Sequence, residues 1–542
     1  MMNAFTRSFI KIPVFFLAFC TMLLTVACNK KEKIKAVNPE FSKYIDGYTS
    51  GVISKTAAIR VRLTEETPST HTVNEPLKEA LFSFSPSVRG KAYWVDARTI
   101  EFKPDENLKP DQLYTVNFKL GNTTTVPDDF KTFSFNVQAI KPAFTVTENG
   151  LKVTGNSKDM MQLTGLVETA DIETAAAVEK ILAVIYAGKS TAIKWEHNEQ
   201  ARTHKFIVEN IKRGNAAANL QLQWDGAALD IKDKGEKFIE VPATGDFKVL
   251  AVRAVQNVEN YVLVQFSDAI ATSQQLNGLI TISNKVDLSY SIDGSEVKLY
   301  VADDFDGNYS VSVNEGIENI WNKKLQKTFS ANLFFENRLP AVTIRGRGVI
   351  LPNTGKLVLP FESVNLGAVD VSIIKIYENN IPQFLQMNNI DGESDLRRVA
   401  TPVAQQTIRL DNDKTLDLHK KQKFSLDIDK YLKTEPGAIY HVTIGFRPEY
   451  SLYNCAEDNK KAGDAEDEDY GYNWYDEEGE TTGPDSDDGF WKVYNAYYPY
   501  GYNWRKRDDP CSPSYYNRER WASRNVLASN IGLTAKRGTD NN

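Results

Sequence analysis

The chain has 542 residues, of which 42% are hydrophobic and 25% are charged, and its formal net charge is −7. These proportions are typical of soluble globular domains and exclude a disordered, collagen-like or multi-span membrane protein. The charge is unevenly distributed, because residues 456–489 hold 14 acidic residues against Lys460 and Lys461, a net of −12, which leaves +5 for the remainder. With no basic excess and no Arg/Lys-rich stripe, the sequence predicts no nucleic-acid partner.

The first residues predict an export signal. Arg7 and Lys11 precede an apolar run over residues 12–24, which is shorter than the roughly 20 residues of a membrane-spanning helix and fits a signal-peptide core. Small residues then lead to Cys28, and a charged stretch follows. This arrangement resembles the lipobox of bacterial lipoproteins, so we expect residues 1–27 to be a lipoprotein signal peptide and Cys28 to be lipidated. The alternatives are a plain secretory signal or an uncleaved anchor.

Lipidation of Cys28 predicts a location for the protein. Acyl chains would hold it on a membrane of the bacterial cell envelope, at the periplasmic or the cell-surface face, with residues 28–55 as a tether. Two further cysteines, Cys455 and Cys511, then remain in the exported chain. An oxidising compartment permits a disulfide between them, which would clamp the base of the acidic segment; two free thiols are the alternative.

Period-two patterning predicts an all-β body. Ile59, Val61 and Leu63 alternate with two arginines, as in a half-buried strand. Asp293-Gly294 lies between two such runs, where the pair favours a tight hairpin turn. Similar runs recur as far as residue 449, so we predict tandem β-sandwich domains in a row. The expected units are an Ig-like sandwich at 56–138, a β-rich domain at 139–245, an Ig-like sandwich at 246–336, a sandwich at 337–449 and an incomplete domain at 450–542.

The second half of the chain resembles a known family. The residues concerned are Gly348-Val349-Ile350-Leu351-Pro352, residues 359–366, Val369-Asp370-Val371, and residues 376–380, 383–386, 503–516 and 524–533. They are similar to the macroglobulin domains of bacterial alpha-2-macroglobulins, over about 337–542 and with support over 40–336. The resemblance implies an all-β fold of tandem Ig-like and macroglobulin-type β-sandwich domains. It makes 337–449 a macroglobulin-type sandwich and 450–542 an incomplete one with an acidic and aromatic insertion.

The resemblance also implies a function. Alpha-2-macroglobulins are protease traps, in which cleavage of a bait segment collapses a ring of domains and a Cys-x-x-Gln thioester can capture the attacker. None of the four cysteines has Gln at that spacing, so no thioester is predicted. Because family members are several times longer, we expect the chain to stop inside its fifth domain, before the bait and thioester regions.

We therefore interpret the chain as the membrane-anchored N-terminal scaffold of a broad-spectrum endopeptidase inhibitor, non-catalytic in itself. Its expected partners are the membrane, through the lipid anchor, and target proteases, through the missing downstream region, with other envelope proteins as further candidates. The alternative is a cell-envelope Ig-like binding or adhesion lipoprotein without an inhibitory role.

No motif predicts catalysis, a metal or a cofactor. The five histidines form no HExxH pair. Gly188-Lys189-Ser190 lacks the first glycine of a phosphate loop, and residues 304–307 and 485–489 lack the spacing of a calcium loop. The acidic segment is followed by aromatic residues up to Trp504. We interpret it as a self-repelling insertion whose flanking aromatics pack on the sandwich, with a partner-binding loop as the alternative.

Overall fold

The computed structural model describes residue 34 and residues 37–528 apart from the segment 456–497 and short gaps. The short gaps lie at 68–70, 156, 257–259, 285–286, 302–304, 306, 336–337, 347–349, 352–356, 394–395, 397–398 and 436. The predicted signal peptide at 1–27, the lipidation site Cys28 and the acidic segment at 456–489 all lie outside the described residues.

The first domain is a sandwich of two four-stranded sheets. Its strands are β1 (Ile45–Tyr48), β2 (Val52–Ile53), β3 (Ile59–Leu63), β4 (Phe82–Ser85), β5 (Gly90–Trp94), β6 (Thr99–Pro104), β7 (Leu113–Phe118) and β8 (Phe133–Ala139). The sheet orders are β1-β3-β6-β5 and β2-β8-β7-β4. Ile59, Val61 and Leu63 are all buried between the sheets, so the predicted alternation of β3 is confirmed.

This domain begins earlier than the predicted boundary at residue 56. A 3₁₀ helix at Pro39–Lys43 precedes β1 and β2, so the C-terminal part of the expected tether 28–55 belongs to the sandwich. Phe41 packs its ring against Phe130 and Phe133, with ring centroids 5.1 and 5.0 Å apart. Strands of four and two residues are too short to display a period, which is why the pattern alone did not indicate them.

The second domain, which the sequence predicted only as β-rich, is also a sandwich. It comprises β9 (Phe144–Val153), β10 (Met160–Thr169), helix α1 (Ala175–Val178), β11 (Leu182–Tyr186), β12 (Lys189–Thr191), β13 (Lys194–Asn198), β14 (Thr203–Lys212), β15 (Ala218–Asp225) and β16 (Lys234–Val241). The sheet orders are β13-β14-β10-β9 and β12-β11-β15-β16. Gly188 has φ +73° in the turn between β11 and β12, so Gly188-Lys189-Ser190 runs from a hairpin turn into strand β12.

The third domain has a four-stranded and a three-stranded sheet. Its strands are β17 (Val249–Gln256), β18 (Asn260–Phe266), β19 (Ile280–Ile282), β20 (Leu288–Asp293), β21 (Glu296–Val301), β22 (Gly307–Val313) and β23 (Phe329–Phe335). The sheet orders are β17-β18-β21-β20 and β19-β22-β23. Asp293 pairs with Glu296 across the turn and Gly294 has φ +58°, so the predicted hairpin is confirmed.

The fourth domain packs a three-stranded sheet on a five-stranded one. Its elements are β24 (Ala341–Ile344), β25 (Ile350–Leu351), β26 (Val358–Val364), β27 (Ala368–Ile376), helix α2 (Ile381–Met387), β28 (Ala400–Arg409), β29 (Gln422–Asp427), β30 (Ile439–Gly445) and β31 (Ala522–Ala528). The sheet orders are β24-β26-β29 and β25-β31-β30-β27-β28. The predicted all-β fold of tandem sandwiches is thus confirmed.

Strand β31 corrects the expected boundary at residue 450. It runs antiparallel to β30, with Ile439 opposite Leu527 and Ile444 opposite Ala522, and Val526 is fully buried in the core of the fourth domain. Strand β31 therefore belongs to the fourth sandwich rather than to a fifth domain. The two strands are far apart in sequence. His441 of β30 and Asn525 of β31, whose side chains are hydrogen bonded to each other, are 84 positions apart.

Candidate functional site

The two cysteines singled out by the sequence lie together. Cys455 and Cys511 form a disulfide with an S–S distance of 2.07 Å and Cα atoms 5.7 Å apart. The bond ties the end of the chain that leaves the fourth sandwich to the segment that returns to it. The chain is therefore held to folded structure at Cys455, before the acidic segment, and at Cys511, after it.

The returning chain, residues 498–520, bridges three domains, and we refer to it as the bridging segment. Tyr498 pairs with Val52 of the first domain through two backbone hydrogen bonds, each 2.8 Å long. The hydroxyl of Tyr500 donates to the backbone oxygen of Asn136 at 2.6 Å. At the other end of the segment, the hydroxyl of Tyr515 donates to the backbone oxygen of Pro340, next to the fourth domain.

An apolar cluster fills the junction of the first two domains with the bridging segment. Its members come from all three parts of the chain: Val52, Ile140, Ala143, Ala170, Tyr498, Tyr502 and Trp504. The rings of Tyr498 and Tyr502 are stacked with centroids 3.8 Å apart and planes 2° from parallel. Large aromatic side chains of this kind bury much apolar surface while keeping a polar handle. The flanking aromatics of the acidic segment that the structure describes therefore pack on folded domains.

Charged groups surround this cluster. Arg202 of the second domain donates to the hydroxyl of Tyr498 at 2.6 Å, and that hydroxyl donates to Glu519 at 2.8 Å. Arg202 also forms an ion pair with Glu519. Burial raises the pKa of Tyr498 above its usual value and raises that of Tyr500 and of Tyr502 to about 12. The phenols are therefore neutral hydrogen-bonding groups at physiological pH.

Two further arginines of the bridging segment reach the second domain. Arg505 pairs with Asp233 at 2.8 Å and Arg507 with Glu168 at 3.3 Å. The guanidinium of Arg507 lies 3.7 Å from the centroid of the Trp504 ring, a close cation–π contact. The positive side chains of the segment thus connect the fourth domain to acidic groups of the second domain.

The first and second domains also contact each other directly. The hydroxyl of Ser54 and the backbone N–H of Lys55 donate to the two carboxylate oxygens of Asp171, at 2.6 and 2.7 Å. The Lys55 ammonium lies 2.7 Å from Glu173. Ser54 and Asp171 are buried, so this junction is shielded from water and from screening by salt.

The junction of the second and third domains centres on a buried arginine. Arg213 forms an ion pair with Asp268, and neither side chain is more than 1% exposed. Its guanidinium also donates to the backbone oxygens of Lys158, Pro242, Ala243, Asp246 and Ser267. Asn319 of the third domain donates to the second oxygen of Asp268 at 3.1 Å. The Arg213 guanidinium therefore holds these two domains together, because all of its N–H donors are directed at protein oxygens.

One close pair, His197 and His204, was not indicated by any sequence motif. Their Nδ1 atoms are 2.9 Å apart, and the Nε2 atom of His197 lies 3.3 Å from Glu179. The two residues are directly opposite each other in the β13–β14 hairpin. A search for the HExxH spacing of a helix does not detect a histidine pair that faces across two strands. Burial lowers the pKa of His204. The remaining histidines lie elsewhere; for example, His71 stacks on Trp94.

These features do not assemble into a reaction centre. Across the described ranges, no three or more His, Cys, Asp or Glu side chains are grouped so that they could hold a metal ion. No helix in the described part of the chain is long and apolar enough to cross a bilayer. Four β-sandwich domains joined by buried polar and aromatic contacts define a multidomain scaffold protein of the Ig-like class.

Comparisons with known proteins relate part of this scaffold to a family. No family model matches the chain. The curated alpha-2-macroglobulin of Xylella fastidiosa strain 9a5c is 27% identical over 156 residues, or 28% of this chain, and that of strain Temecula1 is 26% identical over the same length. The match covers 10% of each relative. Over this stretch the chain is related to the bacterial alpha-2-macroglobulins.

Solved structures give more distant similarities. The fragment of Escherichia coli alpha-2-macroglobulin spanning domains MG0-NIE-MG1 is 18% identical, with 38% of this chain and 68% of that chain covered and a TM-score of 0.24. Domains 4–9 of the surface layer protein SbsC are 8% identical, with 76% and 82% covered and a TM-score of 0.22. The fold assignment therefore rests on the sheets described above.

Proposed function

We propose that this chain is the membrane-anchored scaffold of a bacterial alpha-2-macroglobulin-like protease trap, and that it has no catalytic role of its own. The observation that carries the proposal is the similarity to alpha-2-macroglobulin over 156 residues. The buried junctions between the sandwiches support the scaffold role, because they hold neighbouring domains together. The match covers only 10% of each relative, so we attribute the inhibition itself to further macroglobulin regions like those of the relatives.

The DNA that follows this coding sequence tests the proposal most directly. We expect a reading frame, joined or adjacent, that encodes further macroglobulin domains and a Cys-x-x-Gln motif. Without such a frame in the genome, the trap would be rejected in favour of an Ig-like adhesion lipoprotein.

A protease assay on the purified chain examines the division of roles. Since no cysteine of the chain has Gln at the thioester spacing, an excess of endopeptidase should yield no covalent adduct and no loss of activity on protein substrates. The same chain joined to the downstream region should block cleavage of large substrates and spare small peptides. An adduct with the isolated chain would contradict the assignment of a purely structural role.

The lipid anchor at Cys28 forms the second part of the proposal. Cells fed labelled palmitate should incorporate the label into the wild-type chain and lose it in a Cys28→Ala variant. Cys20→Ala is the matched control, because Cys20 lies in the apolar run and would be removed with the signal peptide. Label that persists in Cys28→Ala would exclude the anchor.

A further inference from the structure

The histidine pair of the second domain lies inside the β13–β14 hairpin. His204 is fully buried, and the side chain of His197, on the edge strand β13, is 16% exposed. Their Nδ1 atoms are 2.9 Å apart. Two neutral imidazoles can share one hydrogen across such a contact. Two imidazolium cations cannot, because both facing nitrogens would then carry a hydrogen and the charges would repel each other.

The surrounding groups determine where the shared hydrogen lies. Nε2 of His197 is 3.3 Å from the Glu179 carboxylate, which only accepts hydrogen bonds when ionised, so we assign a hydrogen to this nitrogen. In the neutral ring Nδ1 of His197 is then the acceptor, and the Nδ1–H of His204 donates to it. Nε2 of His204 is left without a hydrogen. This atom is buried and has no hydrogen-bond partner within the described part of the chain.

This arrangement leaves no favourable place for an additional proton. On His197 it would bind at Nδ1 and meet the N–H of His204, whereas on His204 it would make Nε2 a buried donor without a partner. Glu199 in the hairpin turn favours the charged form of His204, but burial and the neighbouring His197 outweigh it and lower the pKa of His204.

The other charged residues around the pair are directed away from it. Glu179, after α1, is the carboxylate that contacts His197, and the adjacent Lys180 is exposed. Side chains alternate between the two faces of a sheet, so the charged residues next to the pair on the strands project from the opposite face: Glu168 on β10, Glu196 on β13 and Lys205 on β14.

The turn that follows His197 takes part in two domain junctions. Glu199 accepts a hydrogen bond from the first backbone N–H of α1 at 2.7 Å, and α1 begins four residues after Asp171, which binds the first domain. Arg202, two positions before His204, holds Tyr498 of the bridging segment. Displacement of this turn would therefore loosen the contacts of the second domain with both.

We propose that the His197–His204 pair is an acid-sensitive switch, in which protonation separates β13 from β14 and releases the bridging segment from the second domain. The separated hairpin exposes both rings to water and binds protons more strongly than the closed one. The stability of the closed hairpin is therefore present above the ordinary histidine pKa of about 6.5 and is lost progressively as the pH falls below it. Histidine is the side chain that ordinarily titrates in this range.

Hydrogen exchange of the full chain at pH 7.5 and pH 5.5, corrected for the pH dependence of the intrinsic rates, tests the proposal. In the wild type, protection of residues 199–204 and 498–504 should fall at least about tenfold at the lower pH, the effect of a shift of about one unit in one histidine. His197→Gln should keep the fold, because its amide can donate to Glu179, and should reduce this fall to less than about twofold. His204→Phe, which removes the other imidazole, should do the same.

His71→Gln is the matched control, since His71 stacks on Trp94 in the first domain and lies outside the pair. This variant should keep the pH response of the wild type. Exchange of the ring C–H hydrogens, measured on the same samples, should give His204 a pKa below about 6.5. Equal protection of the wild type at both pH values, a fall that persists in His197→Gln, or a response lost equally in His71→Gln would each overturn the proposal.

Discussion

Replacement of Arg213 by alanine would test whether the second and third domains are held as one unit. The variant removes a buried guanidinium that donates to five backbone oxygens and to Asp268. Asp268, which is 1% exposed, would keep its hydrogen bond from Asn319 but lose its ion pair. The loss of one member of a buried ion pair costs about 3–5 kcal/mol, because the other charge stays desolvated.

Hydrogen exchange followed by mass spectrometry is the suitable assay, since a chain of several domains need not unfold in one two-state transition. Peptides that cover 242–249 and 265–268 should exchange about 100- to 1,000-fold faster in Arg213→Ala, which corresponds to about 3–4 kcal/mol at 1.36 kcal/mol per factor of ten. Arg213→Lys should fall between the wild type and the alanine variant, because it keeps the charge but has fewer donors in a different geometry.

Arg253→Ala provides the matched control at the same junction. Arg253 is 37% exposed and pairs with Glu148 at 3.3 Å, so its loss should cost no more than about 1 kcal/mol. If Arg213→Ala increased exchange no more than Arg253→Ala does, the buried network would not be what holds the two domains, and the reasoning would fail.

The other predictions concern the bridging segment. Burial raises the pKa of Tyr500 and of Tyr502 to about 12 in the folded protein. Because the unfolded state releases these protons already near pH 10, the stability that is present below pH 10 is lost as the pH rises towards 12. Urea titrations at rising pH should show this loss, and a free energy of unfolding that stays constant over this range would refute it. Tyr502→Ala should destabilise the junction by about 3–5 kcal/mol through loss of a buried aromatic ring, measured by exchange of residues 49–54, whereas Tyr502→Phe should cost less than half as much. Reduction of Cys455–Cys511 should accelerate exchange at residues 498–511, because the disulfide restricts the opened chain; unchanged exchange would show that Tyr498 and its neighbours suffice.

Local sequence patterns predicted a strand well where apolar and polar residues alternate over five or more positions. The alternation at 59–63 corresponds to β3, and Asp293-Gly294 corresponds to the turn after β20, because the residues that determine these features are adjacent in sequence. The short strands β1 and β2 escaped detection since two to four residues cannot establish a period.

Contacts between distant residues could not be predicted in the same way. β31 looks like any other strand in the sequence, and nothing local indicates that it pairs with β30 across the acidic segment. Arg213 and Asp268 are each ordinary charged residues in sequence, and only the packing of two domains makes them a buried pair. The disulfide was predictable because few cysteines remain once the expected signal peptide is set aside, whereas the contacts of the bridging segment before Cys511 had no local signal beyond its aromatic residues.

The position of β31 has a consequence for how the protein is made. In the five-stranded sheet this strand lies between β25 and β30, yet its residues are the last that the structure describes. The fourth domain therefore lacks an interior strand until residues 522–528 have been synthesised, long after β30. During that interval the edge of β30 stays open and the thiol of Cys455 has no partner. Sheets that depend on pairing between distant residues form slowly, and until they form they expose unpaired edges that are prone to aggregation. We therefore expect the fourth domain to be the one that most needs chaperones and oxidative folding catalysts during biosynthesis.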